Sequence, residues 1–263
     1  MADNKSVATI VIPTFNRAKL LATAIDSALA QTVNCEVIIV NHGSTDNTDE
    51  IVETYGNNVR YIKRENDFGP HFCWLEGVLS ATTQFVHLQY DDDWIEPNFI
   101  ESCLSLMEPD VGFAFSSVHI FDDKTSEIIE TQFNDWLPKT GIYKNSRLEK
   151  QILNSLISPG CALYRKQLLL DSLYQGRLPL ANAEYRGVGP DCWITLQSML
   201  RYKKLAYVKE PLATFRAHEG SITIDAKKDK EKKLQINKAY GEIKRYYREM
   251  KILSFARKMT GWK

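Results

Sequence analysis

Short β-branched runs alternate with stretches of helical period through the first half of this chain, and that alternation restricts its fold more than any other feature. Residues 7–12 (VATIVI), 35–40 (CEVIIV), 59–63 (VRYIK) and 85–88 (FVHL) are apolar runs of strand length. Between the first two, residues 17–31 set Leu20, Leu21, Ala24, Ile25, Ala28 and Leu29 at the 3–4 spacing of one helical face, and residues 47–55 and 71–81 also suit helices. Strand–helix–strand repetition implies right-handed βαβ units, hence an α/β fold with a mainly parallel sheet and helices on both faces. Ligands of such sheets sit beyond the carboxyl ends of the strands. The polar loops PTFNR (13–17), NHGSTD (41–46) and QYDDD (89–93) all leave strands on that edge.

Further along, helices are expected over residues 97–107 and 190–201, and strands over 111–118, 161–164 and 205–208. Residues 119–160 show no clear period. Residues 225–258 read as a helix with charge on most faces. From Asp225 onward the chain carries 13 Lys/Arg against 5 Asp/Glu although its net charge is zero, so a basic tail follows an acidic body. That balance argues against a general nucleic-acid binder.

The length of 263 residues suffices for one large core or a core with an annex. Five cysteines, odd in number and never spaced C-x-x-C, suit scattered reduced thiols of a cytosolic protein better than disulfides or structural zinc. The opening run is too short for a secretory leader, and no stretch reaches the roughly 18 apolar residues that span a bilayer.

The densest negative charge, Asp91-Asp92-Asp93, stands at the mouth of the apolar sheet. One aspartate there often only ends a strand or caps the next helix. Three in a row repel and call for a cation, and hard ions such as Mg²⁺ and Mn²⁺ take carboxylate oxygens together with substrate phosphates.

The order TIVIPTFNR, EVIIVNHGSTDNT, FVHLQYDDDWIEP resembles the family 2 glycosyltransferases, whose GT-A fold is a Rossmann-like sheet. The resemblance is close over residues 6–107 and looser to about residue 222. It implies a nucleotide-sugar-binding half (1–107), an acceptor-side half (108–222) and a basic helical extension (223–263). It also implies an inverting, Mn²⁺- or Mg²⁺-dependent transferase with a nucleotide-sugar donor, a UDP-sugar, and a glycan or lipid-linked acceptor in surface polysaccharide assembly. By the same resemblance Pro13, Thr14, Phe15 and Arg17 wrap the nucleoside, Asp91 holds ribose or metal, and Asp92 or Asp93 is the direct metal ligand.

Relatives usually carry D-D-G-S-x-D after the second strand, whereas this chain has Asn41-His42-Gly43-Ser44-Thr45-Asp46. Asn41 still offers an acceptor oxygen for a base N–H, weaker than a carboxylate. Asn41 and Ser44 also suit simple turn formation, and Gly43 belongs to the turn.

In RGVGPDCW, Asp191 opens a helix, where an aspartate is commonly a cap. The resemblance makes it the general base, although Pro190 replaces the usual preceding Glu; Glu184 is a lesser candidate. FRAHEGSIT resembles an R-x-H-x-x-S segment that closes over the donor, so His218 is implied as a metal ligand or diphosphate contact and Arg216 as a phosphate partner. Trp136 and Trp193 are the candidate sugar platforms. The basic tail is a solvated helix or one that lies on anionic lipid, which would put the protein in the cytoplasm at the inner membrane face.

A sugar nucleotidyltransferase would need a glycine-rich loop after the first strand, which PTFNR lacks. A dinucleotide oxidoreductase would need G-x-G-x-x-G. A non-catalytic nucleotide-sugar-binding module of the same fold is the remaining rival, on the strength of Asn41 and Pro190.

Overall fold

A computed structural model describes residues 5–173, 189–218 and 230–260. Glu184 and the boundary at residues 222/223 lie outside the described residues. The early apolar runs become β1 (Ala8–Thr14), β2 (Cys35–His42), β3 (Arg60–Arg64) and β4 (Phe85–Leu88), with α1 (Ala18–Leu29), α2 (Thr48–Glu53) and α3 (Pro70–Ser80) between them. Every residue of β1 is buried, as a strand covered on both faces requires.

The strands lie in the order β3-β2-β1-β4 and are parallel. From β1 through β3 the chain moves one way across the sheet, and from β3 to β4 it moves back. Right-handed crossovers then place α1 and α2 on one face and α3 on the other. The reversal makes the carboxyl ends of β1 and β4 the switch point where a crevice opens. Pairing of β1 with β4 ends at Val11 and Leu88, so Pro13, whose nitrogen faces the β4 side, costs the ladder no hydrogen bond.

Beyond β4 come β5 (Trp94–Ile95), α4 (Phe99–Leu104), β6 (Val111–Asp122), β7 (Glu127–Gln132), β8 (Gly141–Lys144), α5 (Glu149–Asn154), β9 (Ala162–Arg165), α6 (Lys166–Ser172), α7 (Pro190–Arg201), β10 (Lys204–Ala217) and α8 (Lys230–Thr260). The sheet continues β4-β9-β6-β10-β5, with β7 on β6 and β8 on β10. Here β10 is parallel to β6, while β9, β5, β7 and β8 pair antiparallel. The sheet is therefore parallel where the sequence alternates and mixed beyond.

Two departures from the sequence reading have local causes. Residues 119–160 hold the end of β6 and the strands β7 and β8; β7 lies open to solvent, with Ile128 and Ile129 both exposed, so no buried/polar alternation marks it. Likewise β10 runs well past residue 208, because register shifts on either side of Pro211 admit a proline inside a strand.

α8 docks on α7. Its residues from 251 onward are exposed. Among the described residues no helix is long and apolar enough to cross a membrane. The five cysteines are free thiols.

Candidate active site

The loops after β1 and β2 are bonded to each other. Asn16 takes a left-handed φ of 54°, which asparagine tolerates better than most residues. Its N–H donates to Ser44 Oγ at 2.9 Å, and its Oδ1 accepts from Thr45 N at 2.7 Å. Asp46 accepts from Ala18 N at 3.0 Å and Thr48 N at 3.2 Å, satisfying first-turn donors of α1 and α2 together. Gly43 has φ 76°, and a Cβ there would stand 2.8 Å from Asp67 N, so glycine is obligatory. Thr14 is buried at the end of β1, and Phe15 beside it is 45% exposed at the crevice.

Asn41 is fully buried. Its Oδ1 accepts from Ser44 N at 3.1 Å, and its Nδ2 donates to Tyr61 Oη at 2.7 Å and to Asp49 Oδ1 at 3.3 Å. Asp49 also takes the Tyr61 hydroxyl and the Lys63 ammonium, which hold its carboxyl below the usual carboxylate range. A carboxylate thus stands beside position 41 although position 41 itself carries none. The sequence signal for it was weak: one acidic residue among several in TDNTDE.

At the end of β4 the three aspartates diverge. Asp91 and Asp93 are 9% and 6% exposed. Burial first, and then the charge of Asp92, push the Asp91 carboxyl up to about 7. The same two causes raise Asp93 well above the ordinary range. Arg17 answers the crowding: its Nη1 lies 2.5 Å from Asp92 Oδ2, and its Nε lies 3.9 Å from Asp91 Oδ1. The same Nη1 lies 3.0 Å from His218 Nε2, which is itself 3.0 Å from Asp92 Oδ2.

This triangle bears on metal binding. Two ligands of an octahedral ion, each about 2.1 Å from it and at right angles, stand about 3.0 Å apart. Asp92 Oδ2 and His218 Nε2 show that separation, with a cationic nitrogen against both. Among the described residues no three His, Cys, Asp or Glu side chains converge as a metal cluster. The pair therefore fits an ion that takes its remaining ligands from phosphate and water, as Mg²⁺ and Mn²⁺ do. Asp93 is tied differently, its Oδ1 accepting Arg216 N at 2.9 Å.

Arg216 points elsewhere than the sequence suggests. Its Nη1 meets Asp123 Oδ1 at 2.6 Å, its Nε donates to the Asp92 carbonyl at 3.1 Å, and its guanidinium lies 5.0 Å from the Trp94 ring and 5.8 Å from the Phe121 ring. It ties β10 to the aspartate loop, and nothing in the sequence pairs it with Asp123.

Asp191 opens α7 after Gly189. Its Oδ1 accepts Gly189 N at 3.0 Å and Cys192 N at 2.8 Å, and its Oδ2 accepts the Tyr240 hydroxyl of α8 at 2.9 Å. Burial raises its carboxyl, opposed by these three donors. Trp193 is 7% exposed and packs 5.2 Å from Tyr246, so it is interior to the α7–α8 contact and offers no sugar platform. Trp136 is half-buried against Phe133 and Phe115.

The model of the family described as Glycosyl transferase family 2 matches residues 9–172. The chain is 25% identical over 228 residues to the glycosyltransferase GlyA of Streptococcus pneumoniae serotype 4, covering 82% of this chain and 31% of that protein. It is 28% identical over 224 residues to the uncharacterized glycosyltransferase RT0329 of Rickettsia typhi, covering 82% and 65%. The chain thus spans less than two thirds of the length of these relatives. Among solved structures, S. aureus TarS in complex with UDP-GlcNAc matches with TM-score 0.63 at 19% identity, over 82% of this chain and 60% of that one. The mannosyltransferase PcManGT from Pyrobaculum calidifontis, in complex with GDP-Man and Mn²⁺, matches with TM-score 0.57 at 16% identity, over 86% and 62%. Those two likenesses speak for the fold, which is GT-A. The family match runs from β1 to the end of α6, more than half of the chain, and on that ground this chain belongs to glycosyl transferase family 2.

Proposed function

We propose that the chain transfers a sugar, with inversion, from a UDP-sugar to a hydroxyl of a glycan or lipid-linked acceptor in surface polysaccharide assembly. The observation that carries this reading is the convergence of Arg17, Asp92 and His218 at the mouth of the β1/β4 crevice. Residues 1–107 form the donor half and residues 108–222 the acceptor half. Pro13, Thr14 and Phe15 line the nucleoside's side, with Asn41 and Ser44 beneath the base and Asp91 toward the ribose. Asp92 and His218 would hold Mn²⁺ or Mg²⁺, which when bound supplies a Lewis acid for charge on the departing diphosphate. Asp92 is preferred to Asp93 because its Oδ2 stands beside His218 Nε2, whereas one oxygen of Asp93 already accepts Arg216 N.

Asp191 accepts the proton of the acceptor hydroxyl as that oxygen bonds to the anomeric carbon. The bond from that carbon to the diphosphate oxygen breaks on the opposite side, so configuration inverts and no covalent enzyme intermediate forms. Arg17 contributes positive charge where the diphosphate lies, and Arg216 keeps the aspartate loop in place. The exposed end of α8 supports peripheral contact with anionic lipid, because Ile252, Phe255 and Met259 share a face that Lys258 flanks. Such contact supports the reading that the protein works in the cytoplasm at the inner membrane face.

The test is a thermal-shift comparison of UDP, GDP and UDP-GlcNAc with and without Mn²⁺. UDP with Mn²⁺ should raise Tm more than either alone, and Asp92→Ala should lose the metal-linked part. A GDP shift larger than that of UDP overturns the choice of base. A shift indifferent to Mn²⁺ overturns the metal.

A further inference from the structure

We infer that Tyr240, on α8, is a positioning residue for Asp191, so that the C-terminal helix is a working part of the catalytic site; this rests on the reading of Asp191 as the general base. Two backbone N–H groups take Asp191 Oδ1. They belong to its own helix start and would be present for a simple cap. The Tyr240 hydroxyl, 49 residues away in sequence and 2.9 Å from Oδ2, is not part of any cap. Carboxylate rotation is therefore blocked at both oxygens, and Oδ2 keeps a second lone pair for an incoming proton. A base that must meet a hydroxyl within hydrogen-bond reach depends on such restraint.

The rest of the contact registers α8 on this end of α7. Gly189 has φ 109°, and a Cβ there would lie 2.4 Å from Ile243 Cδ1, so the glycine admits Ile243 one turn beyond Tyr240. Trp193 packs on Tyr246, and Tyr247 donates to Glu149 Oε1 at 3.0 Å. The other titratable groups facing Asp191 are Tyr90 after β4, Tyr164 on β9 and Cys192 on its own helix, with Lys244 of α8 near Cys192. Burial keeps Tyr90, Tyr164 and Cys192 neutral. Tyr240 differs from these in donating directly to the carboxylate.

A hydrogen bond to the charged form lowers an acid's pKa, so losing it raises that pKa. The experiment is a ¹³C titration of the Asp191 carboxyl, identified as the resonance missing from Asp191→Asn, in the full chain and in Tyr240→Phe and Tyr247→Phe. Tyr247→Phe removes another anchoring hydroxyl of α8 without touching Asp191, and unchanged urea-unfolding midpoints and far-ultraviolet circular dichroism report that the helix stays seated. Tyr240→Phe should move the titration up by about half to one pH unit. The acid limb of UDP release from UDP-GlcNAc, with water in place of the acceptor, should move with it. Tyr247→Phe should move neither. An unchanged titration in Tyr240→Phe, or equal movement in both variants, overturns the inference. Retained UDP release in Asp191→Asn would instead overturn the general-base reading itself. Loss of release in Asp191→Asn with an unmoved titration in Tyr240→Phe leaves that reading standing and removes Tyr240 alone.

Discussion

Asp92, at the end of β4, and Asp191, at the start of α7, are carboxylates held by opposite chemistry. Asp92 has two acidic neighbours and meets a guanidinium and an imidazole. Asp191 has no acidic neighbour in sequence and meets two backbone N–H groups and a phenol. The first arrangement is charge balanced by mobile or replaceable charge, which suits a site that must admit a cation and an anionic ligand. The second is a charge held by neutral dipoles, which stabilise a carboxylate without competing for its proton. On the proposed function, the carboxylate that binds and the one that accepts a proton differ in what surrounds them.

The largest effect that could break this contrast is on turnover. Asp191→Asn keeps the shape of the side chain but cannot accept a proton, so UDP release should fall by about 10² to 10⁴-fold. UDP affinity, measured by calorimetry in Mn²⁺, should stay within about twofold of the original protein. Asp92→Asn should do the reverse to affinity, weakening Mn²⁺-linked UDP binding. If Asp191→Asn instead loses binding and keeps turnover, the two roles are exchanged.

Next in size is a pH effect on the metal-free protein. The folded pKa of Asp91, about 7, lies above its unfolded value near about 3.9. The folded state therefore binds more protons than the unfolded state between pH 4 and 7, and stability from this group falls as pH rises through that window. The full window corresponds to roughly 4 kcal/mol at most. His87, fully buried and pushed down to about 4 by burial, has the opposite sign and loses stability as pH falls below about 6.5. Subtracting the urea-unfolding curves of Asp91→Asn from those of the parent cancels His87 and leaves the Asp91 slope together with the response of Asp93, which feels the Asp91 charge. A flat difference between pH 4 and 7 would mean that Arg17 already relieves Asp91 in full.

A smaller effect probes the missing carboxylate at position 41. Asp at that position could not donate to Tyr61 and would face Asp49, so Asn41→Asp should cost about 1 to 3 kcal/mol in urea unfolding. Asp49→Asn in the same chain should restore part of the loss, since the two positions touch. An Asn41→Asp variant as stable as its parent would show that the surrounding cluster tolerates a second charge.

The edge beyond the parallel strands was legible because it is built from loops that directly follow buried strands. Alternation placed PTFNR, NHGSTD and QYDDD on one edge, and the structure then ties Asn16 to Ser44 and Thr45 there. Arg216 was harder to read, since its partner Asp123 lies 93 residues away and an acidic pair at the end of a strand names no partner. Tyr240 was illegible for the same reason: a helix charged on most faces does not mark which hydroxyl turns inward. The sequence reading ends this strand at residue 208, and the continuation of β10 through Pro211 depends on bulges visible only when β6 is beside it. Short-range chemistry could be inferred; pairs formed across the sheet could not.

The smallest effect separates two roles for Arg17. Its Nη1 stands against both Asp92 and His218, so an ion bound there must displace it. Arg17→Met removes the competitor and leaves the acidic crowding unrelieved, and both changes favour a cation. Mn²⁺ alone, followed by the loss of its free electron-spin-resonance signal, should bind the variant about tenfold more tightly, the equivalent of about 1.4 kcal/mol. UDP in the presence of saturating Mn²⁺ should bind more weakly, because the diphosphate has lost a positive neighbour. Weaker Mn²⁺ binding in Arg17→Met would make Arg17 a builder of the ion site, holding Asp92 and His218 in their 3.0 Å relation. The contrast with Asp191 would then narrow, since both carboxylates would depend on a fixed partner, and only the charge of that partner would distinguish them.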